Sequence, residues 1–378
     1  MSPSLSALPP AVRAAASGLD RRNFLRICTL AAAAIGLPAS AGRAFAEAVA
    51  AGRRPSVIWL SFQECTGCTE SLLRTTHPAL DELILDLISL DYHETLMAAS
   101  GHLAEEARMA SMEENRGKFI LVTEGATPLG ENGNYCRIGG RTAVDILEEA
   151  AEMAGAIIAL GSCASFGGLP AAHPNPTGAT GTPMVLAGKT VVTIPGCPAN
   201  PYNFLGTALQ YATFGTLPAL DELGRPQWAY GRTIHEHCPR RAHFDAGRFA
   251  ELFGDEGHRQ GYCLYKLGCK GPATHANCSV QHFGEVVDAW PIGVGHPCFG
   301  CTEQALAFRV PLHATVDIQR PTPPDTYPPL HAEKGEVSPI ATGVAGAVVG
   351  AVAAGAWMAT RKLDEDPDRT GAPGKKAE

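Results

Sequence analysis

The sequence carries no surplus of basic residues. Its 378 residues include 30 Lys and Arg against 38 Asp and Glu, which gives a formal net charge of −8. Proteins that bind nucleic acid usually concentrate positive charge, so this balance argues against that class. Charged residues make up only 18% of the chain and hydrophobic residues 45%, which fits a globular protein with a sizeable core and roughly two domains.

Cysteine, by contrast, is abundant, with 12 residues. In an exported protein the simplest interpretation of many cysteines is a set of disulfides. One stretch, however, combines many Gly and Pro residues, which break regular elements, with seven potential metal ligands. These are His235, Cys238, Cys263, Cys269, Cys278, Cys298 and Cys301. Thiolates suit zinc, Cu(I) or iron–sulfur clusters, and at about four ligands per cluster the stretch predicts two sites among loops and short helices.

The first half of the chain alternates short apolar runs with helical stretches. Runs with strand character occupy residues 57–62, 119–122, 156–160 and 191–194, with a possible further strand at 85–92. Helical stretches lie between them, for example at 105–115 and 141–153. This alternation predicts an α/β fold with a parallel, doubly wound sheet, and the continuous apolar strands fit burial on both faces.

Four further cysteines directly follow three of these apolar runs. They are Cys65, Cys68, Cys163 and Cys197. Parallel strands present their carboxyl ends at one edge of the sheet, where the ligands of such sheets bind. Four converging thiols suit one 4Fe–4S cluster. A zinc site with four cysteines has the same ligand count and is the alternative.

Residues 1–46 have the parts of an export signal. The segment DRRNFLR at 20–26 resembles the twin-arginine motif, an apolar run follows at 27–37, and a small-x-small cleavage site ends at Ala46. The twin-arginine route carries folded, cofactor-loaded proteins, which favours clusters inserted before export over disulfides formed after it. An ordinary basic N-terminus ahead of a helix is the alternative.

The C-terminal part combines a linker with an uncharged segment. Residues 321–337 are rich in Pro and predict a stiff linker. A helix over 338–362 is long enough to cross the roughly 30 Å hydrocarbon core of a membrane. Arg361 and Lys362 then place the tail at 363–378 in the cytoplasm by the positive-inside rule. A soluble helix or linker rich in Ala and Gly is the alternative.

Four stretches carry a family pattern. They are ECTGCTES at 64–71, HEHCPRRAHFDAG at 235–247, GYCLYKLGCKGP at 261–272 and GHPCFGC at 295–301. Together they resemble the small subunit of NiFe hydrogenases, and the similarity runs from about residue 55 to about residue 315. The resemblance implies a flavodoxin-like domain over 47–222 and an irregular iron–sulfur domain over 223–320.

The resemblance also implies which residues hold each cluster. A proximal 4Fe–4S cluster would be held by Cys65, Cys68, Cys163 and Cys197. A distal 4Fe–4S cluster would be held by His235, Cys238, Cys263 and Cys269, with His237 as an alternative ligand. A medial 3Fe–4S cluster would be held by Cys278, Cys298 and Cys301, since Pro291 stands where a fourth cysteine would be needed. A zinc site completed by His282 or His296 is the alternative for the last three cysteines.

Four basic residues lie close to the distal ligands in sequence. They are Arg240, Arg241, Lys266 and Lys270. We expect them to form a solvated face, or a surface that steers an acidic redox partner.

The function implied by the resemblance is that of the electron-transfer subunit of a membrane-bound, uptake-type NiFe hydrogenase. H2 would be split at a NiFe centre in a separate large subunit, which would face the proximal site. Electrons would pass through the proximal, medial and distal clusters to a membrane cytochrome b type acceptor, with the protein on the periplasmic face of the membrane. Oxygen-tolerant relatives carry two additional cysteines at the places of Gly67 and Gly168, so a standard four-cysteine proximal cluster is expected.

Three other functions fit parts of the sequence. The same clusters could serve another exported oxidoreductase, which a co-purifying nickel-containing partner would exclude. A cytosolic H2-sensing small subunit would lack the export signal and the anchor. A disulfide-rich exported binding module would contain no iron.

Overall fold

The computed structural model describes most of the chain between the predicted signal peptide and the predicted linker. The described residues are 43–44, 54–76, 88–283 and 288–318. All of them belong to one compact unit, Met1–Tyr327. The predicted linker, membrane helix and cytoplasmic tail lie outside the described residues, as does most of the signal peptide. Within the described part of the chain, no helix is long and apolar enough to cross a membrane.

A five-stranded parallel sheet forms the centre of this unit. Its strands are β1 (Ser56–Ser61), β2 (Ser89–His93), β3 (Ile120–Glu124), β4 (Ala156–Leu160) and β5 (Val192–Ile194). They lie in the order 2-1-3-4-5, which is the order found in flavodoxin. The predicted parallel α/β architecture is therefore confirmed. Every residue of β1, β3, β4 and β5 is buried, which explains why those strands read as continuous apolar runs.

Helices and short pairs of strands connect the sheet. The α-helices are α1 (Gly67–Leu73), α2 (His102–Glu114), α3 (Ala143–Met153), α4 (Gly161–Phe166), α5 (Thr182–Val185), α6 (Pro201–Phe214), α7 (Gln227–Tyr230), α8 (Arg241–Asp245) and α9 (Glu256–Arg259). The 3₁₀ helices are Gly130–Gly133, Ile234–His237, Tyr265–Leu267 and Gly271–Ala273. Two antiparallel pairs join Thr127–Pro128 to Ala179–Thr180 and Arg137–Ile138 to Arg141–Thr142.

Local capping explains where the helices α3 and α6 begin. The hydroxyl of Thr142 accepts a hydrogen bond from the backbone N–H of Asp145 at 3.1 Å, so α3 starts two residues later than the predicted helical stretch. The side chain of Asn200 accepts from the backbone N–H of Tyr202 at 3.0 Å, and Pro201 occupies the first helical position of α6.

The two faces of the sheet pack against different partners. Ile58 and Leu60 of β1 point into a core shared with α2 and α3, whereas Val57 and Trp59 point into the opposite core. This alternation follows from the two-residue period of a strand. The second core extends from the sheet through α6 into the cysteine-rich segment, where its members include Ile234, Leu264, Trp290 and Cys298. The boundary predicted near residue 222 stays a prediction about domain organisation.

Candidate functional site

The carboxyl ends of four of the parallel strands are level with one another at one edge of the sheet. Ser61 of β1 pairs with Glu124 of β3, Glu124 with Leu160 of β4, and Leu160 with Ile194 of β5. The segments that follow β1, β4 and β5 at this edge carry the four predicted proximal ligands, with Cys65 and Cys197 in loops, Cys68 in α1 and Cys163 in α4. The edge where ligands of parallel sheets bind is thus the edge that holds these thiols.

The structure brings the four proximal thiols together. The pKa of Cys163 is raised to about 11, mainly by burial, and the thiols of Cys197 and Cys65 contribute to this shift. Burial also raises the pKa of Cys68, and Cys163 and Cys197 contribute to that shift. Thiols this shielded from water ionise readily only when a positive charge compensates them, as a bound metal does. Cys65 and Cys197 are nevertheless exposed at the edge of the sheet.

Glycines leave room around these thiols. A Cβ atom at Gly161 would lie 2.5 Å from the Sγ of Cys68, and one at Gly168 would lie 2.8 Å from the Sγ of Cys163. Both glycines have positive φ, +87° and +49°, a conformation that other residues adopt at a cost. A Cβ atom at Gly67 would lie 3.0 Å from the Sγ of Cys65. The space beside the thiols therefore depends on the absence of side chains at these positions.

A buried glutamate holds the first proximal loop against the sheet. Glu124 is 2% exposed, and its Oε1 accepts hydrogen bonds from the backbone N–H groups of Cys68 at 2.9 Å and Thr69 at 3.2 Å. Its Oε2 accepts from the Thr69 hydroxyl at 2.5 Å and from the Trp59 indole N–H at 3.1 Å. The Thr69 hydroxyl also contacts the Nε2 of His93 at 3.1 Å. This network orients the start of α1, which carries Cys68.

The four predicted distal ligands line a single cavity. His235, Cys238, Cys263 and Cys269 surround about 310 Å³ of space not filled by protein atoms, including its open mouth. The Nε2 of His235 is buried and has no hydrogen-bond partner. Burial and the charge of Arg241 lower the pKa of His235 to about 4, so the ring is neutral at pH 7, the form that binds metals. An unpaired buried nitrogen beside three thiols fits an iron–sulfur cluster with one histidine ligand.

Backbone N–H groups are aimed at several of the thiols in the cysteine-rich segment. Burial raises the pKa values of Cys238 and Cys263 to about 12, whereas hydrogen bonds from the N–H groups of Arg240 and Tyr265 act in the opposite direction. Burial also raises the pKa of Cys269, which the N–H of Gly271 opposes in the same way. In each case the donor lies two residues after the cysteine. Such donors stabilise thiolate charge and tune the potential of a cluster.

The alternative distal ligand, His237, is engaged elsewhere. Its Nε2 lies 3.2 Å from a guanidinium nitrogen of Arg232 at the surface. The cavity is lined by His235 and not by His237. This arrangement favours the histidine that the family spacing selects.

The three predicted medial ligands form a third group between the other two. Burial raises the pKa of Cys278 to about 12, and Cys298 adds to that shift. Burial raises the pKa of Cys301, and the thiols of Cys278 and Cys197 contribute. Burial raises the pKa of Cys298 as well, with contributions from Cys269 and Cys301. Cys301 therefore adjoins the proximal group, and Cys298 adjoins the distal group.

The histidines considered for a zinc site have partners of their own. The ring of His282 stacks on Trp290 with 6.2 Å between centroids, and the Nδ1 of His296 lies 2.7 Å from the carbonyl oxygen of Pro297. No group of three or more His, Cys, Asp or Glu side chains among the described residues has the geometry of a single-ion site. The eleven cysteines that the structure describes are free thiols.

The expectation of a solvated basic face was wrong for two of its four residues. Lys270 is 0% exposed and Arg241 is 5% exposed, because the cysteine-rich segment folds over them. Arg241 forms an ion pair with Asp245 at 3.0 Å, four residues later on α8. Sequence reasoning also missed Glu124 and Ser162 as residues of the site, the latter through its hydroxyl, which donates to the carbonyl oxygen of Cys301. Only the position of Glu124 at the end of a strand could have indicated its role.

Comparisons with known proteins match both halves of the chain. A family model described as "NADH ubiquinone oxidoreductase, 20 Kd subunit" matches residues 65–211, and a model of the C-terminal part of NiFe/NiFeSe hydrogenase small subunits matches residues 230–312. The hydrogenase-2 small chain of Escherichia coli K12 is 52% identical over 347 residues, which cover 92% of this chain and 93% of that protein. The chain belongs to the small-subunit family of NiFe hydrogenases.

Two further relatives support this membership. The quinone-reactive Ni/Fe-hydrogenase small chain of Wolinella succinogenes is 47% identical over 76% of this chain and 81% of its own length. The crystal structure of a reduced, active Ni-Fe-Se hydrogenase from Desulfomicrobium baculatum matches with a TM-score of 0.65 and 34% identity, over 70% of this chain and 100% of that chain. Small subunits of this family carry iron–sulfur clusters, transfer electrons and pair with a large subunit that holds the active site.

Proposed function

We propose that this small subunit relays electrons from H2 oxidation through three iron–sulfur clusters. The observation that carries the proposal is the order of the three thiol groups in space. Cys197 of the proximal group interacts with Cys301 of the medial group, and Cys298 of the medial group interacts with Cys269 of the distal group. A row of three adjacent sites, each built from buried or shielded thiols, is what a stepwise electron relay requires.

Each site has a ligand set that suits a different cluster. Cys65, Cys68, Cys163 and Cys197 would hold a proximal 4Fe–4S cluster. Cys278, Cys298 and Cys301 would hold a medial 3Fe–4S cluster. His235, Cys238, Cys263 and Cys269 would hold a distal 4Fe–4S cluster, which the imidazole makes less negative than a four-thiolate cluster. When bound, such groups supply one-electron redox chemistry. The chain binds them, excludes water and stabilises the thiolates with peptide N–H groups.

The proximal and distal sites, at the two ends of the row of three sites, would face different partners. Cys65 and Cys197 are exposed at the strand-end edge, so a large subunit that covers this edge would shield the proximal site. Electrons leaving the distal site would reach a membrane cytochrome b type acceptor, in line with the quinone-reactive relative. The twin-arginine signal at 1–46 and the helix at 338–362 would place the complex on the periplasmic face of the membrane, with the tail in the cytoplasm.

Metal analysis and EPR spectroscopy of the purified complex test the relay. Two 4Fe–4S clusters and one 3Fe–4S cluster sum to about 11 iron atoms in this chain. Cys298→Ser should remove the 3Fe signal while the large subunit stays attached. Cys136→Ser is the matched control, because Cys136 lies outside the three groups and packs against the core shared with α2 and α3. Stoichiometric zinc with little iron in the native complex would refute the relay.

Processing and truncation test the localisation. Cleavage should follow Ala46, so that the mature chain begins at Glu47. Truncation before Ser338 should release a soluble, active heterodimer that no longer reduces the membrane acceptor. If the truncated heterodimer remained in membranes that lack the cytochrome, the segment at 338–362 would not be the anchor.

A further inference from the structure

Lys270 is a fully buried lysine whose ammonium group is surrounded by backbone carbonyls. Its side chain is 0% exposed. Its Nζ lies 2.9 Å from the carbonyl oxygen of Pro311 and 2.8 Å from that of Leu312. The carbonyl oxygens of Gly268 and Ala314 lie farther away, each at 3.4 Å. All four acceptors are neutral groups of the main chain.

This environment selects the charged form of the side chain. A carbonyl oxygen only accepts hydrogen bonds, so a neutral amine would direct its lone pair at an acceptor that cannot donate. An ammonium group, with three donors and no lone pair, matches the surrounding carbonyls. Carbonyl dipoles compensate the charge only in part, and the low-dielectric interior leaves it largely unscreened.

The position of Lys270 joins the medial and distal sites. It directly follows Cys269 in the chain, and its backbone N–H donates to the carbonyl oxygen of Cys298 at 2.7 Å. The positive charge thus lies within electrostatic reach of both sites.

We infer that Lys270 is a positioning residue whose fixed positive charge raises the reduction potentials of the medial and distal sites. The inference rests on the proposed relay. A positive charge stabilises the added electron at a nearby cluster, because reduction makes the cluster more negative. Each site takes up one electron and passes one on, and Lys270 exchanges neither an electron nor a proton. The charge favours movement of the electron away from the large subunit.

The test is a redox titration of the heterodimer monitored by EPR, in wild type and in Lys270→Met and Lys270→Gln. Methionine removes the charge at similar volume, whereas glutamine also keeps a donor for the carbonyls. Lys266→Met is the matched control, because Lys266 lies near the distal ligands in sequence but is 47% exposed and paired with Glu251. We expect the reduced-to-oxidised ratio of the medial and distal sites, at a fixed potential, to fall at least tenfold in both Lys270 variants. Tenfold corresponds to about 59 mV for one electron.

The proximal site is the internal control in the same samples, and its potential should stay unchanged. The inference is overturned if the clusters are present and the medial and distal potentials match those of Lys266→Met. It is also overturned if neither neutral Lys270 variant assembles the clusters while Lys266→Met does, because the ammonium would then be needed for folding. A wild-type complex without the three signals would instead refute the proposed relay itself, so the two failures are distinguishable.

Discussion

The hydroxyl of Ser162 donates a 2.6 Å hydrogen bond to the carbonyl oxygen of Cys301, 139 residues later in the chain. The same hydroxyl oxygen accepts a hydrogen bond from the backbone N–H of Gly196 at 3.1 Å. One buried serine therefore links the segments that carry Cys163, Cys197 and Cys301. It fixes the approach of the medial group to the proximal group, which spacing along the chain does not reveal.

Ser162→Ala should weaken this link. The substitution leaves the carbonyl of Cys301 and the N–H of Gly196 without their partner, at a cost of about 1–3 kcal/mol in the free energy of unfolding. We expect a lower thermal midpoint and a weaker magnetic interaction between the proximal and medial clusters in EPR spectra. Ser165→Ala is the control, since the hydroxyl of Ser165 in α4 donates to the carbonyl oxygen of Ala159 in β4, at 3.2 Å, and does not reach the cysteine-rich segment. An identical loss of magnetic interaction in both variants would contradict the role assigned to Ser162.

His235→Cys should lower the reduction potential of the distal cluster. A thiolate adds negative charge where the neutral imidazole adds none, and more negative clusters are harder to reduce. The measurement is an EPR-monitored redox titration of the heterodimer. His237→Cys is the matched control, because His237 faces Arg232 at the surface. A shift in His237→Cys without one in His235→Cys would make His237 the ligand.

The stability of the proximal loop should depend on pH through His93. Its Nδ1 accepts from the backbone N–H of Thr95 at 3.2 Å, so its Nε2 carries the proton that faces the hydroxyl of Thr69. Burial lowers the pKa of His93 from 6.5 to about 4. The unfolded chain therefore binds a proton that the folded chain excludes between these values. Above pH 6.5 the titration of His93 does not lower the free energy of unfolding. As the pH falls from 6.5 towards 4, the free energy of unfolding decreases by up to roughly 3 kcal/mol.

Thermal unfolding at pH 7 and at pH 4.5 measures this dependence. His93→Gln should show a smaller drop in the thermal midpoint between the two pH values than wild type, because glutamine does not titrate there. His102→Gln, at the exposed start of α2, should keep the wild-type dependence. Equal drops in wild type and His93→Gln would assign the acid lability to other groups.

Oxygen should inactivate this hydrogenase, with recovery only after reduction. By the family resemblance, Gly67 and Gly168 stand where oxygen-tolerant relatives carry additional cysteines, and neither glycine can bind iron. A Cβ atom at Gly168 would also lie 2.8 Å from the backbone nitrogen of Cys163, so the loop is shaped for glycine. H2-oxidation current should fall when O2 is pulsed over an electrode film of the complex. Sustained current under O2 would show that tolerance here does not depend on those cysteines.

The parallel sheet and the position of the proximal thiols can be predicted from the sequence alone. Apolar runs followed by cysteines are sufficient for this prediction, because the carboxyl ends of parallel strands lie at one edge of a sheet. The family resemblance, through its His-x-x-Cys spacing, also favours His235 over His237 as the distal ligand, and His235 lines the cavity.

How the three groups adjoin one another, and which charges lie among them, emerges only from tertiary packing. Cys197 and Cys301 are distant in sequence and meet because the cysteine-rich segment packs on one face of the sheet. Lysine is usually a surface residue, so the sequence does not indicate that Lys270 is buried. Its burial results from the turn at 311–314, which folds over it. Contacts of this kind depend on how distant segments pack, whereas strand ends and ligand spacing are properties of short segments that the chain specifies locally.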